Sequence, residues 1–232
     1  MSDALDLLVF AAHPDDAEIG MGGTIAKHTK AGAKVGIVDL TYAEMSSNGN
    51  VETRQREATE ASKILGLAVR DNLGLPDRRL SVTAQHTDLM VAAIRKYRPR
   101  FVFAPYMIDR HPDHVTCSRM AEEATFNAKL RKYMPDIPSW TVEQLYFYFI
   151  NDTQAPQLLI DVSDAHEVKM DALKAYRSQF MPSGSEADWV DTPLTGAYLD
   201  NIEARDRLLA QQRKWKYAEG FIAKGPVAIE SF

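Results

Sequence analysis

The chain has 232 residues, 45% hydrophobic and 25% charged, with 32 acidic against 27 basic side chains and a formal net charge of −5. That balance fits one soluble α/β domain spanning residues 1–232 and offers no basic stripe of the kind nucleic acid demands. The lone Cys117 excludes an internal disulfide framework and reads as a small core residue. The N-terminus shows no cationic leader and no apolar run approaches the roughly 18 residues of a spanning helix, so a cytoplasmic protein with no membrane partner is expected.

In chain order, strand-like and helix-like segments alternate. Leu7 to Ala12 has the apolar continuity of a strand buried on both faces of a parallel sheet. A glycine-rich turn (Gly20, Gly22, Gly23), a helix to about Lys30 with Gly32 as its stop, and a strand from Lys34 to Leu40 complete a βαβ unit. A polar loop holding Ser46, Ser47, Asn48 and Gly49 leads to a helix from Glu52 to Leu65, a short strand at Ala68 to Asn72, and a helix from Ala84 to Tyr97 ended by Pro99. Beyond the strand Arg100 to Pro105 come a helix to about Lys132 and strands at Leu145 to Ile150 and Leu158 to Val162. Asp164 and Glu167 suggest a capping pair for a helix to Phe180. Met181 to Ala197 reads as a long loop, and Leu199 to Tyr217 as the last helix. The pattern is that of an α/β domain with a mostly parallel sheet flanked by helices.

Two short motifs follow strand-like runs: His13-Pro14-Asp15-Asp16 after the first, and His111-Pro112-Asp113-His114 after the run ending at Pro105. Carboxyl ends of neighbouring strands form the ligand crevice of an open α/β sheet, so both motifs are site candidates by position. Imidazole and carboxylate suit a divalent metal, and a catalytic zinc takes about three protein ligands. His13 and Asp16 supply two, with Asp15 left over. Pro112 and Asp113 favour a helix start, which makes His111 the cap and sets His114 on the apolar stripe of Cys117, Ala121, Ala124 and Ala128. His114 thus points inward as the third ligand. His111 lies one turn back, where Asp113 or a neighbour can fix its tautomer. Arg54 shares the inward face of Ala58, Ala61 and Leu65 and suits an oxyanion or carboxylate.

Each feature has a plainer reading. His-Pro-Asp-Asp alone is more often a turn with a capping aspartate, and Arg54 can simply pair with Glu57. Gly20, Gly22 and Gly23 with Asp39 loosely suggest a dinucleotide fingerprint, which would make the chain a non-catalytic nucleotide-binding module, although the spacing is wrong. His28, His86 and His166 read as solvated, and Tyr146 to Phe149 as sheet filling.

The long form of the first motif, Ala12 to Glu18 with its glycines, together with Glu44, Arg54, the His111 to His114 motif and Tyr217-Ala218-Glu219-Gly220-Phe221, resembles the zinc-dependent de-N-acetylases of the LmbE-like (PIG-L) type. Leu75 to Arg78, Asp109 to His114, Ala175 to Phe180 and Thr192 to Thr195 look like the bacillithiol-pathway members, which remove acetate from N-acetylglucosaminyl L-malate. The resemblance implies a Rossmann-like fold and a homo-oligomer, hexamer or trimer. It implies one Zn2+ per subunit on His13, Asp16 and His114, with Asp15 as general base. Arg54 and Tyr198 would stabilise the oxyanion beside a protonated His111 held by Asp113. Arg54, Arg110 and Glu44 would contact substrate, and an anionic aglycone would suit Arg54 or Arg110. Iron, cobalt or manganese are accepted by such donor sets too. An N-acetyl sugar such as a chitobiose unit is the alternative substrate. Tyr42-Ala43-Glu44 replaces the Arg-Gly-Glu of many members, and Gln212 to Lys216 lacks a glycine often found there.

Overall fold

The computed structural model describes residues 4–181, 189–211 and 213–228. The order of elements is β1 (Leu7–Ala11), α1 (Asp16–Lys30), β2 (Val35–Thr41), α2 (Val51–Leu65), β3 (Val69–Leu75), α3 (Ala84–Tyr97), β4 (Phe101–Pro105), α4 (Pro112–Ala128), β5 (Gln144–Tyr148), β6 (Leu158–Asp161), α5 (His166–Lys174), α6 (Arg177–Phe180), α7 (Tyr198–Ala210) and β7 (Ala218–Ala223).

One seven-stranded sheet runs β3-β2-β1-β4-β5-β7-β6. The first five strands pair in parallel, and β7 runs antiparallel between β5 and β6. Because side chains alternate along a strand, β1 sends Leu7, Val9 and Ala11 to one face and Leu8 and Phe10 to the other. The first face is covered by α1, α2 and α5, whose Ile19, Ala61 and Leu173 are buried there. The second is covered by α3 and α4 through residues such as Ile94, Cys117 and Ala121. The α/β class, the mostly parallel sheet and the apolar stripe of α4 all match expectation. The chain order reverses between β1 and β4, and this switch point is where an open sheet leaves a crevice. No helix among the described residues is long and apolar enough to cross a membrane.

Several expectations are corrected. Gly20, Gly22 and Gly23 lie inside α1 rather than in a turn, because Tyr148, Lys169 and Val162 press so close that a Cβ there would meet them at 2.1, 3.0 and 2.8 Å. Asp39 is held by Arg70 at 2.9 Å and 3.1 Å, so neither feature of the nucleotide-binding reading survives. The helix expected to reach Lys132 ends at Ala128. The helix expected to reach Phe180 breaks after Lys174 and restarts at Arg177, and its cap is Ala165 with no side-chain capping bond, not the pair Asp164 and Glu167. The last helix stops at Ala210, and the Tyr-Ala-Glu-Gly-Phe segment instead feeds β7, whose insertion makes the sheet mixed. His166 is buried and stacks on Tyr217 with ring centroids 3.6 Å apart. Residues 182–188 of the expected loop, and Gln212 of the departing segment, lie outside the described residues.

Candidate active site

Both acid-histidine motifs open onto the crevice between β1 and β4. The chain leaves β1 and starts α1 through Asp15, whose φ of 119° puts a non-glycine residue in a strained left-handed conformation. That turn aims consecutive carboxylates at the same space. Asp16 ties it closed by accepting from the His13 N–H at 2.8 Å. Across the crevice His111 caps α4 as expected, with Pro112 in the first turn, and His114 follows on the inward face.

The three expected ligands meet. Asp16 lies between the histidines, Oδ2 3.3 Å from His13 Nδ1 and Oδ1 3.1 Å from His114 Nε2. Ring nitrogens of His13, His111 and His114 lie within 4.8 Å of one another, as do ligand atoms of His13, Asp77 and Asp113. His114 Nδ1 is 2.9 Å from Asp109 Oδ1, the carboxylate-histidine pairing that turns the other ring nitrogen toward a metal. Asp77, at the end of β3, stands 3.2 Å from His13 Nε2. Asp77 and Asp109 lie in segments that carry the resemblance, but the sequence reading gives neither a role. A partner 64 positions away leaves no local pattern.

The electrostatics ask for a cation. Asp15, Asp16, Asp77 and Asp113 are buried around the histidines. Burial opposes charge on His13, yet Asp16, Asp113 and Asp77 outweigh it and raise its pKa well above normal. The same contest, with Asp16 and Asp109 winning, brings His114 to about 9. Burial pushes up the Asp77 and Asp109 carboxyls, but His13 and His114 respectively hold each at about 2. Imidazoles whose protons a bound cation would displace, set among buried carboxylates, form a donor set that fits a divalent metal.

Asp15 behaves differently from Asp16. Burial raises it to about 7, against the opposing pull of Arg54, which lies 3.1 Å away. Asp16, although buried, is held far below the usual range by His114 and His13. The two neighbouring carboxylates are thus pushed in opposite directions, Asp15 up and Asp16 down.

Arg54 is buried on the inward face of α2. It bonds Asp15 and the Pro14 carbonyl, while its Nε and Nη1 have no partner. Glu57 instead accepts from Ser178, so the Arg54–Glu57 pairing is absent.

His111 departs from expectation. Burial and the neighbouring histidines lower its pKa to about 4. Its Nδ1 accepts from the Asp113 backbone N–H at 3.2 Å. The Asp113 carboxylate is engaged by Arg78 and lies 3.5 Å from His13. In the metal-free site, burial and the charged rings of His114 and His13 thus disfavour a proton on His111, and its Nδ1 bonds the Asp113 backbone N–H.

A cavity of about 430 Å³ joins these groups, walled also by Ser46, Arg110, Asn151 and Tyr198. Arg110 is exposed at its rim. Tyr198, the first residue of α7, places its hydroxyl 3.1 Å from Asn151 Oδ1. Glu44 is exposed and accepts from the Asp77 N–H at 2.7 Å, so it supports the loop carrying Asp77 rather than lining the cavity.

Residues 8–125 match the family model described as GlcNAc-PI de-N-acetylase (PIG-L), and the chain belongs to that family of amide-hydrolysing deacetylases. Diacetylchitobiose deacetylase of Thermococcus kodakarensis is 30% identical over 194 residues, 77% of this chain and 72% of that protein. A probable N-acetyl-α-D-glucosaminyl L-malate deacetylase of Bacillus subtilis is 28% identical over 75% of this chain and 82% of its own. Among solved structures, the conserved protein TT1542 from Thermus thermophilus is 41% identical with a TM-score of 0.89, covering 97% of each chain. GalB, a 4-carboxy-2-hydroxymuconate hydratase from Pseudomonas putida, is 22% identical with a TM-score of 0.78 over 100% of both chains. That last likeness shows the fold alone, so the chemistry must be argued from the site.

Proposed function

We propose that this chain hydrolyses the acetamide of an N-acetylglucosamine glycoside, releasing acetate and a free amine. The observation that carries the reading is Asp15. It is a buried carboxyl brought to about 7, beside Arg54 and next to a His13, Asp16 and His114 donor set. Those three residues would hold a divalent cation, zinc foremost and iron, cobalt or manganese also suited, with His111 in reach. When bound, the metal supplies Lewis acidity and lowers the pKa of water.

The chain's own groups do the rest. Asp15 takes the proton of the attacking water and returns it to the departing amine nitrogen as the C–N bond breaks. A group titrating near neutrality can do both. The unpartnered Nε and Nη1 of Arg54 are donors for the oxyanion that forms on the carbonyl oxygen. His111, neutral with Nδ1 accepting, carries its proton on Nε2 and can donate it as a second hydrogen bond there.

The malate glycoside is the proposed substrate. Exposed Arg110 at the cavity rim suits an anionic aglycone, and the Bacillus subtilis relative bears that name. Acetate release is to be measured from N-acetylglucosaminyl L-malate, diacetylchitobiose and free N-acetylglucosamine by metal-loaded protein. The reading expects turnover favouring the malate glycoside by at least about 10-fold, the worth of one charge-assisted bond. Preference for diacetylchitobiose would move the substrate and keep the chemistry. Release from no N-acetyl sugar would sink the reading. A homo-oligomer, hexamer or trimer, in the cytoplasm is the accompanying proposal, tested by light scattering and by fractionation.

A further inference from the structure

Arg54 makes its hydrogen bonds through one nitrogen. Nη2 donates to the Pro14 carbonyl and to Asp15 Oδ2 at 3.1 Å, while Nε and Nη1, also buried, donate to nothing. A buried guanidinium ordinarily turns its N–H groups on acceptors, as Arg95 does with the carbonyls of Asn127, Ala128, Leu130, Met134 and Ile137. What meets Arg54 instead is an aromatic ring. Its Cζ lies 5.4 Å over the ring centroid of Tyr176, within range of a cation–π attraction.

The fold holds that ring at its far end. Tyr176 stands at the break between α5 and α6, where its carbonyl accepts from the Gln179 and Phe180 N–H groups and starts the second helix. Its side chain is fully buried, and its hydroxyl donates to Glu18 Oε1 at 2.8 Å. Glu18 Oε1 also takes Arg70 Nη1 at 2.5 Å, and Arg70 is forked onto Asp39 of β2. The ring is thereby tied to the sheet. Its face attracts a cation without accepting any of the N–H groups in the plane of the guanidinium, so Nε and Nη1 stay free in the cavity wall that Arg54 helps to form.

We infer that Tyr176 is a positioning residue for the amide hydrolysis, seating the Arg54 guanidinium by its ring face and so leaving Nε and Nη1 free for the oxyanion. It acts through Arg54 and touches no reacting atom. An aliphatic side chain in its place would fill the space without holding the cation. The inference rests on the N-acetyl sugar reading above and deepens it.

The test compares Tyr176→Leu, which removes the ring face, with Tyr176→Phe, which keeps it, on the best N-acetyl sugar, with bound metal and folded fraction measured alongside. Tyr176→Leu should lower kcat per folded molecule about 10-fold, the worth of one desolvated cation–π contact, with KM within about 3-fold and metal stoichiometry unchanged. Tyr176→Phe should restore kcat to within about 3-fold of wild type. In an Arg54→Met background Tyr176→Leu should cost nothing further, as two residues acting as one unit require. If Tyr176→Leu does not fold, phenylalanines carrying one, two and three ring fluorines at position 176 decide the question, because fluorine draws charge from the ring face at nearly constant shape. Along that series kcat should fall step by step. Equal kcat for Tyr176→Leu and Tyr176→Phe, additive losses with Arg54→Met, or a flat fluorine series would overturn the inference and leave Tyr176 a packing residue. Failure of wild type on all N-acetyl sugars shows up before any variant is made, and would remove the parent reading and this inference with it.

Discussion

Two clusters of buried charge lie in this fold, and they are finished differently. Lys169, fully buried, donates to Asp206 and Glu219 at 2.7 Å each; Arg205 takes the other Asp206 oxygen at 3.2 Å, and the Gly23 and Thr24 N–H groups complete Glu219 at 2.9 and 2.6 Å. Every carboxylate oxygen there has a partner, and the cluster pins α1, α5, α7 and β7 together. Around the cavity, by contrast, Arg54 keeps two nitrogens without a hydrogen-bond partner, and burial pushes Asp15 up to about 7. A network complete in itself has nothing to offer a ligand. One left incomplete at a cavity is a site.

The contrast is sharpest in variants. Asp15→Asn should leave metal stoichiometry intact while kcat falls by about 10²- to 10⁴-fold, the range for a general base, and His13→Ala should lose metal and turnover together. If Asp15→Asn lost the metal as well, Asp15 and Asp16 would exchange roles. Lys169→Met should do the opposite. It strands two buried carboxylates, so chemical denaturation should show a loss of about 3–5 kcal/mol, with kcat per folded molecule retained. Arg54→Lys keeps a cation beside Asp15 but removes the planar fork, and a kcat loss of about 10²-fold with unchanged unfolding midpoint is expected. At the small end, Lys63→Ala removes an exposed 3.4 Å pair with Glu60 and should shift stability by no more than about 0.5 kcal/mol. A large effect there would break the distinction between buried and surface charge.

Much of the site was legible because its two halves are local patterns. A strand end followed by a histidine, a proline and aspartates gives both crevice walls, and the 3.6-residue period puts Arg54 and His114 inward. What escaped is non-local. Asp77 and Asn151 reach His13, Asp109 and Tyr198 from other loops, and only the sheet order brings those loops together. The glycines of α1 were misread because they carry the marks of a turn, while here they admit Tyr148 and Val162 against a helix. The strand Ala218–Ala223 was hidden for a related reason: buried on nearly every residue, it shows neither a two-residue nor a 3.6-residue period. His166 lies among polar neighbours in sequence but stacks on Tyr217, which the chain reaches only after α5, α6 and α7.

The central claim is that Asp15 acts as the base beside a metal it does not hold. Metal-free wild type and Asp15→Asn should be titrated with Zn2+ in parallel, following bound metal and acetate release from the preferred N-acetyl sugar together. The account predicts that both bind one equivalent per chain, and that acetate release rises with occupancy in wild type and stays near baseline in the variant. Equal release by both at full occupancy, or no dependence of wild-type release on metal, would contradict it.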